Sequence, residues 1–238
     1  MTLRIEVLYF TGCPHAGEAL RLTREVVDRL LPGREVEPIL VETAEEARAS
    51  EFLGSPSIRI DGIDIEGRRG DHQGLACRVY EGGAGIPPGW MVEAGLLRAI
   101  RPRHILFLCV ANSARSQMAE GIARSLAPEG VRVSSAGSVP SFVSPHALQV
   151  LREIGTDISG HRSKGLDAID ASSVDAVITL CAEELCPVFL GKALRLHWGL
   201  PDPARETGGE ENKLAAFRKV RDELRRRLEL LFGGWSEP

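Results

Sequence analysis

HILFLCVANSARSQMAEG, residues 104–121, decides the fold. Residues 104–110 are an apolar, β-rich run. A loop of small and polar residues follows, and a helical pattern begins at about Arg115 and continues to Leu126. This is a strand–loop–helix unit with a cysteine at the turn. The chain opens with the same kind of unit: RIEVLYF, residues 4–10, ends at Thr11-Gly12-Cys13-Pro14, and a helical pattern runs on to about Leu31.

Outward from residue 121, strands are predicted at 131–135, 174–180 and 193–197, with helices at 145–154, 167–172 and 210–232. A cysteine-bearing loop spans 181–190, and another loop runs to about Gly209. Strands alternating with helices predict a parallel sheet with helices on both faces. The first half continues as strand Val36–Val41, helix Thr43–Glu51, strand Ser57–Ile60, a glycine-rich stretch and helix Trp90–Ile100. Arg101-Pro102-Arg103 marks a boundary. The expectation is an α/β chain of two domains, 1–100 and 101–238.

The chain has 238 residues, more than one small α/β unit needs, which agrees with two domains. A formal net charge of −4 argues against nucleic acid as a partner, since binding phosphate backbones calls for a basic surface. The N-terminus lacks the basic-then-apolar pattern of a signal peptide, and no apolar run approaches bilayer length. A cytoplasmic protein without membrane partners is expected. Five cysteines, an odd and sparse set, argue against a structural disulfide framework. The six histidines show no paired metal-ligand spacing, so no metal is expected.

The loop Cys109-Val110-Ala111-Asn112-Ser113-Ala114-Arg115-Ser116 has the makings of an anion site. Successive backbone N–H groups and the start of a helix both present partial positive charge there. A cysteine so placed is expected to populate its nucleophilic thiolate. The guanidinium of Arg115 can bind two oxygens of a tetrahedral oxyanion at once. A cysteine on an apolar strand is more often core than nucleophile. The small residues between Cys109 and Arg115 and the strand-to-helix placement favour the nucleophile.

CVANSARSQMAEG resembles the signature loop of low-molecular-weight tyrosine phosphatases and of the thioredoxin-coupled arsenate reductases that share their fold. The resemblance covers about residues 103–232. It implies that Cys109 is the nucleophile, that Arg115 clamps the oxyanion, and that Val110, Ala111, Asn112, Ser113, Ala114 and Ser116 complete the loop.

Three features separate the two activities. Leu180-Cys181-Ala182-Glu183-Glu184-Leu185-Cys186-Pro187 resembles the two-cysteine redox loop of the reductases, with its cysteines closer together than in the best-known members. A phosphatase needs no thiol there, whereas two thiols becoming a disulfide supply the electrons of a reduction. His197-Trp198-Gly199-Leu200-Pro201-Asp202-Pro203-Ala204 resembles the segment carrying the general acid, which implies that role for Asp202. Ala204-Arg205 lacks the aromatic residues that phosphatases of this fold carry after Asp-Pro. The resemblance therefore implies reduction of arsenate to arsenite through Cys109, Cys181 and Cys186 in turn, with an external dithiol as reductant and no bound cofactor. A low-molecular-weight tyrosine phosphatase and an oxyanion-binding redox sensor are the alternatives.

Two departures stand out. Position 114 is Ala where the family often has a second loop cysteine, which excludes a disulfide within the loop. Lys164 falls where some members use an aspartate to help bind potassium, while Asn112, Glu120 and Ser135 match the rest of that site. A lysine ammonium in place of the cation and a solvated surface lysine are both open.

Cys13-Pro14-His15-Ala16 sits at a strand end before a helix, and Ser55-Pro56 precedes the next apolar strand. Residues 3–98 resemble a thioredoxin-like domain, in which a proline, usually cis, faces the active cysteine. Position 16 is Ala, so Cys-x-x-Cys is broken, and Cys77 is the other thiol. The resemblance implies a fused electron donor: Cys13 would attack a Cys181–Cys186 disulfide, and Cys77 would resolve the mixed disulfide. Fusion raises the effective concentration of such a donor. A degenerate stabilising domain is the alternative.

Overall fold

The computed structural model describes residues 3–67, 74–182, 189 and 191–235. The chain divides into two compact units, Met1–Arg101 and Pro102–Pro238.

The first unit contains β1 (Ile5–Tyr9), α1 (Ala16–Leu30), β2 (Glu37–Leu40), α2 (Ala44–Ala49), β3 (Ser57–Ile60), β4 (Ile63–Asp64) and α3 (Gly89–Ile100). α1 buries Ala19, Thr23, Val26, Val27 and Leu30, the three-and-four spacing of one helix face. α2 starts at a capping box in which Thr43 and Glu46 each bond the other's backbone N–H. The sheet order is β2-β1-β3-β4, with β2 parallel to β1 and β3 antiparallel to it. Here the sequence missed an element. β4 pairs with β3 across Asp61-Gly62, both residues at positive φ, as a tight hairpin turn requires. A two-residue strand is too short to reveal itself by alternation. The Ser55–Pro56 peptide is cis.

The second unit contains β5 (His104–Cys109), α4 (Arg115–Leu126), β6 (Arg132–Gly137), α5 (Pro145–Arg152), β7 (Ala176–Cys181), β8 (Leu194–Leu200) and α6 (Glu210–Phe232). All four strands are parallel, in the order β6-β5-β7-β8. β5 is central and wholly buried, which is why its sequence is a continuous apolar run rather than an alternating one. The connection from β5 leads to β6 on one side, and the next strand lies on the other. That reversal opens a crevice at the carboxyl end of β5, where ligands of such sheets bind.

Two expectations change here. Residues 167–172 are not one helix but two 3-10 turns, Leu166–Ala168 and Ala171–Ser173. The Asp170 side chain accepts from Ser172 N at 3.0 Å, and its carbonyl accepts from Ser173 Oγ. Such local bonds compete with a helical ladder. Leu166 and Ile169 still pack on Leu106, Leu108, Ala136 and Val177 of the sheet. The last strand runs on to Leu200 instead of ending at 197. Leu196, Trp198 and Leu200 are buried in alternation, which overrides the turn-like Gly199 and Pro201.

His104, at the start of β5, is 3% exposed and lies between Ser173 and Ser134. Burial, reinforced by Arg132, holds its pKa below the ordinary 6.5. The unfolded chain therefore binds a proton that the folded chain resists. Stability is full above pH 6.5, falls as pH drops through it, and levels off below the folded-state value. His104→Asn is expected to flatten the dependence of chemical-denaturation stability on pH between about 7 and 5; an unchanged slope would contradict this.

Candidate active site

Cys109 ends β5 and is 3% exposed; Arg115 begins α4. The connecting loop is anchored by its carbonyls. Val110 O accepts from Val139 N at 2.9 Å, Ala111 O from Ser141 N and Ser163 Oγ, Asn112 O from Gln117 Nε2, and Ser113 O from Ser144 N at 3.0 Å. These bonds engage the carbonyls of the loop and not its N–H groups. The N-terminus of α4, which has no side-chain cap, adds its dipole there.

Asn112 adopts φ +44°, a left-handed conformation that asparagine tolerates better than most residues. Its Nδ2 donates to Ser116 Oγ and Ser135 Oγ, both at 2.8 Å. Its Oδ1 accepts from Gln117 Nε2 at 2.9 Å and Lys164 N at 2.7 Å. Ser116 Oγ lies 2.9 Å from Cys109 Sγ. When the sulfur is a thiolate the hydroxyl must be the donor, and a hydrogen bond to the charged form stabilises it.

Arg115 is 4% exposed. Its Nη1 donates to Leu200 O at 3.0 Å, and its Nη2 lies 3.4 Å from Asp202 Oδ2. Asp202 also accepts from Ala204 N, which fixes its turn. Cys109, Arg115, Ser141, Asp202, Ala204 and Arg205 line a cavity of about 280 Å³ together with the loop, and no aromatic ring is among its described lining residues. A thiol, a strand-to-helix loop, a guanidinium and a carboxyl group thus share one pocket. That set suits nucleophilic attack on a tetrahedral oxyanion with loss of an oxygen.

Behind the loop, Glu120 is 1% exposed. Its Oε2 accepts from Ser135 Oγ and, at 3.2 Å, from Lys164 Nζ. Asn112, Glu120, Ser135 and Lys164 therefore form one hydrogen-bonded cluster. Cys181 ends β7, the neighbour of β5, and is 1% exposed. Since Leu108 pairs with Thr179, the two cysteines close adjacent strands at the same end. Cys186 lies outside the described residues.

In the first unit Cys13 is half-buried and Cys77 exposed. Ser55 donates to Ala76 O and accepts from Arg78 N, which brackets Cys77 beside the Ser55–Pro56 peptide. Ser55 Oγ accepts from Phe10 N, and Phe10 O accepts from Cys13 N. Both cysteine segments therefore converge on Ser55. Arg78 anchors the Cys77 segment from the interior, bonded twice to Asp64 and once to Glu66, and stacked on Tyr80.

Gly137 and Gln117 were not singled out from sequence. A β-carbon on Gly137 would sit 2.4 Å from Val110 O and 2.7 Å from Asn112 N, so the loop can approach β6 only over glycine. The small-residue run Ser134-Ser135-Ala136-Gly137 was its signal. Gln117 ties Asn112 to Arg162 O and to His161. Among the described residues no group of His, Cys, Asp and Glu could hold a metal ion, and no helix is long and apolar enough to cross a membrane.

Residues 104–236 match the family described as low molecular weight phosphotyrosine protein phosphatase, and the chain belongs to that family. An arsenate reductase of Bacillus subtilis (strain 168) is 43% identical over 127 residues, 52% of this chain and 91% of that protein. An arsenate reductase of Halalkalibacterium halodurans is 42% identical over 127 residues, with the same coverage of 52% and 91%. A solved arsenate reductase in an oxidized state is 34% identical; the alignment covers 56% of this chain and 99% of that one, with a TM-score of 0.48.

Gly137→Ala is expected to cost about 1–3 kcal/mol of stability through overpacking, and to weaken binding of inorganic phosphate measured by calorimetry. Undiminished phosphate affinity would contradict the close approach described here.

Proposed function

We propose that this protein reduces arsenate to arsenite by thiol chemistry. The observation that carries the reading is a second cysteine, Cys181, at the end of the strand beside the one that ends in Cys109. The curated relatives named arsenate reductase support it. Cys109 attacks arsenate, and water leaves with a proton from Asp202 while Arg115 holds the remaining oxygens. Cys181 attacks Cys109, arsenite departs, and a Cys109–Cys181 disulfide remains. Cys186 attacks Cys181, which frees Cys109 and leaves a Cys181–Cys186 disulfide for an external dithiol to reduce. Hydrolysis of phosphate monoesters is the second reading, favoured by Cys109, Arg115 and Asp202 sharing one pocket, since that reaction needs no further thiol.

Cys181→Ser and Cys186→Ser are expected to abolish multiple turnover of arsenate, followed as arsenite formed, while retaining weak ester hydrolysis. Wild-type arsenate turnover in both variants would refute the cascade.

Lys164 supplies, in this reading, the positive charge that a bound cation would give beside Glu120. Activity should then be indifferent to exchange of potassium for sodium in the buffer. Strong activation by potassium would remove that role.

The first unit is read as a thioredoxin-like electron donor, supported by the convergence of the Cys13 and Cys77 segments on Ser55. Cys13→Ser and Cys77→Ser should each slow arsenate turnover driven by small thiols. Rates equal to wild type would favour a purely structural unit.

A further inference from the structure

Gly199 leaves room for His197. A β-carbon on Gly199 would lie 2.9 Å from His197 Nε2 and 3.4 Å from both Cys181 O and Ala182 Cα. The imidazole thus lies along β8 toward the backbone of Cys181 and Ala182 at the end of β7.

Thr179 and His197 are cross-strand partners. The Thr179 hydroxyl donates to Leu196 O at 3.2 Å, so its oxygen accepts from His197 Nδ1 at 2.9 Å. A neutral imidazole that donates through Nδ1 carries its lone pair on Nε2, the nitrogen on the Gly199 side. Cys181 follows Thr179 by two residues on β7, the spacing that returns side chains to one face of a sheet. The pairing then slips, with Thr179 opposite His197 but Cys181 opposite Leu200. Extra residues of this kind are common beside active sites, where they re-aim side chains. Cys181 is 1% exposed, so bulk water is poorly placed to take its proton, and a thiol attacks only as thiolate. His197 is exposed and is not among the residues that line the pocket at Cys109.

We propose that His197 is the base that accepts the proton of Cys181 when that thiol attacks Cys109. The proposal rests on the arsenate reduction set out above. In the step, the Cys181 S–H proton passes to His197 Nε2 and a Cys109–Cys181 S–S bond forms. The Cys109 S–As bond breaks with its electron pair going to arsenic, and arsenite leaves. Two thiol sulfurs are oxidised by two electrons, and As(V) becomes As(III). The imidazolium then loses its proton to solvent.

The test is a single turnover of the full-length protein with arsenate, quenched with a thiol-alkylating reagent and read by mass spectrometry for the Cys109–Cys181 disulfide. His197→Ala is expected to slow disulfide formation by about a hundredfold or more, the usual contribution of a general base. Its affinity for inorganic phosphate should match wild type, since the loop at Cys109 is untouched. Added imidazole should restore part of the rate, which a merely structural role for His197 would not allow. An unchanged rate of disulfide formation overturns the proposal, as does a slowed variant that imidazole does not rescue. If wild type itself forms no Cys109–Cys181 disulfide, the cascade fails and takes this proposal with it.

Discussion

Asn112 holds a backbone conformation that residues with side chains rarely adopt, at a cost on the order of 1–3 kcal/mol. Its side chain offsets that cost with hydrogen bonds to Ser116, Ser135, Gln117 and the Lys164 backbone. The turn they fix lets the loop hand its carbonyls to the surrounding chain and curl over Cys109. The same side chain engages Ser116, the hydroxyl beside the Cys109 sulfur. Loop shape and thiol environment are thus set by one buried amide.

The rest of the second unit serves that turn. β5 delivers Cys109 to the crevice of a parallel sheet, α4 begins there, and β6 ends in glycine so that the loop can sit on it. β8 runs far enough for Leu200 O to grip Arg115 and for Asp202 to follow beside it. Every part of the pocket except the loop itself comes from an element distant in sequence.

That division explains what was legible in the sequence. The strand–loop–helix at 104–121 is local: an apolar run, small residues, then helical spacing, so Cys109 and Arg115 stood out. The two-unit α/β plan followed from the same repetition of pattern. Gly137 and Gln117 did not stand out, because their importance depends on Val110, Asn112 and His161 arriving from elsewhere. The 167–172 segment has helical composition, but the side chain of Asp170 bonds locally and breaks it into turns. β4 is too short for a periodic signal, and Gly199-Leu200-Pro201 resembles a turn although Leu200 is buried as a strand residue. The cluster of Asn112, Glu120, Ser135 and Lys164 was legible only through the family resemblance, since no spacing in the chain links its members.

The central claim is that an oxyanion bound at Cys109 is reduced and not merely released. Consumption of NADPH by thioredoxin reductase and thioredoxin, with arsenate as the variable substrate and arsenite measured in parallel, tests it most directly. The account predicts arsenate-dependent oxidation of one NADPH for each arsenite formed, lost in Cys109→Ser. Hydrolysis of phosphate esters with no arsenate-dependent NADPH consumption, by the same preparation, would contradict it.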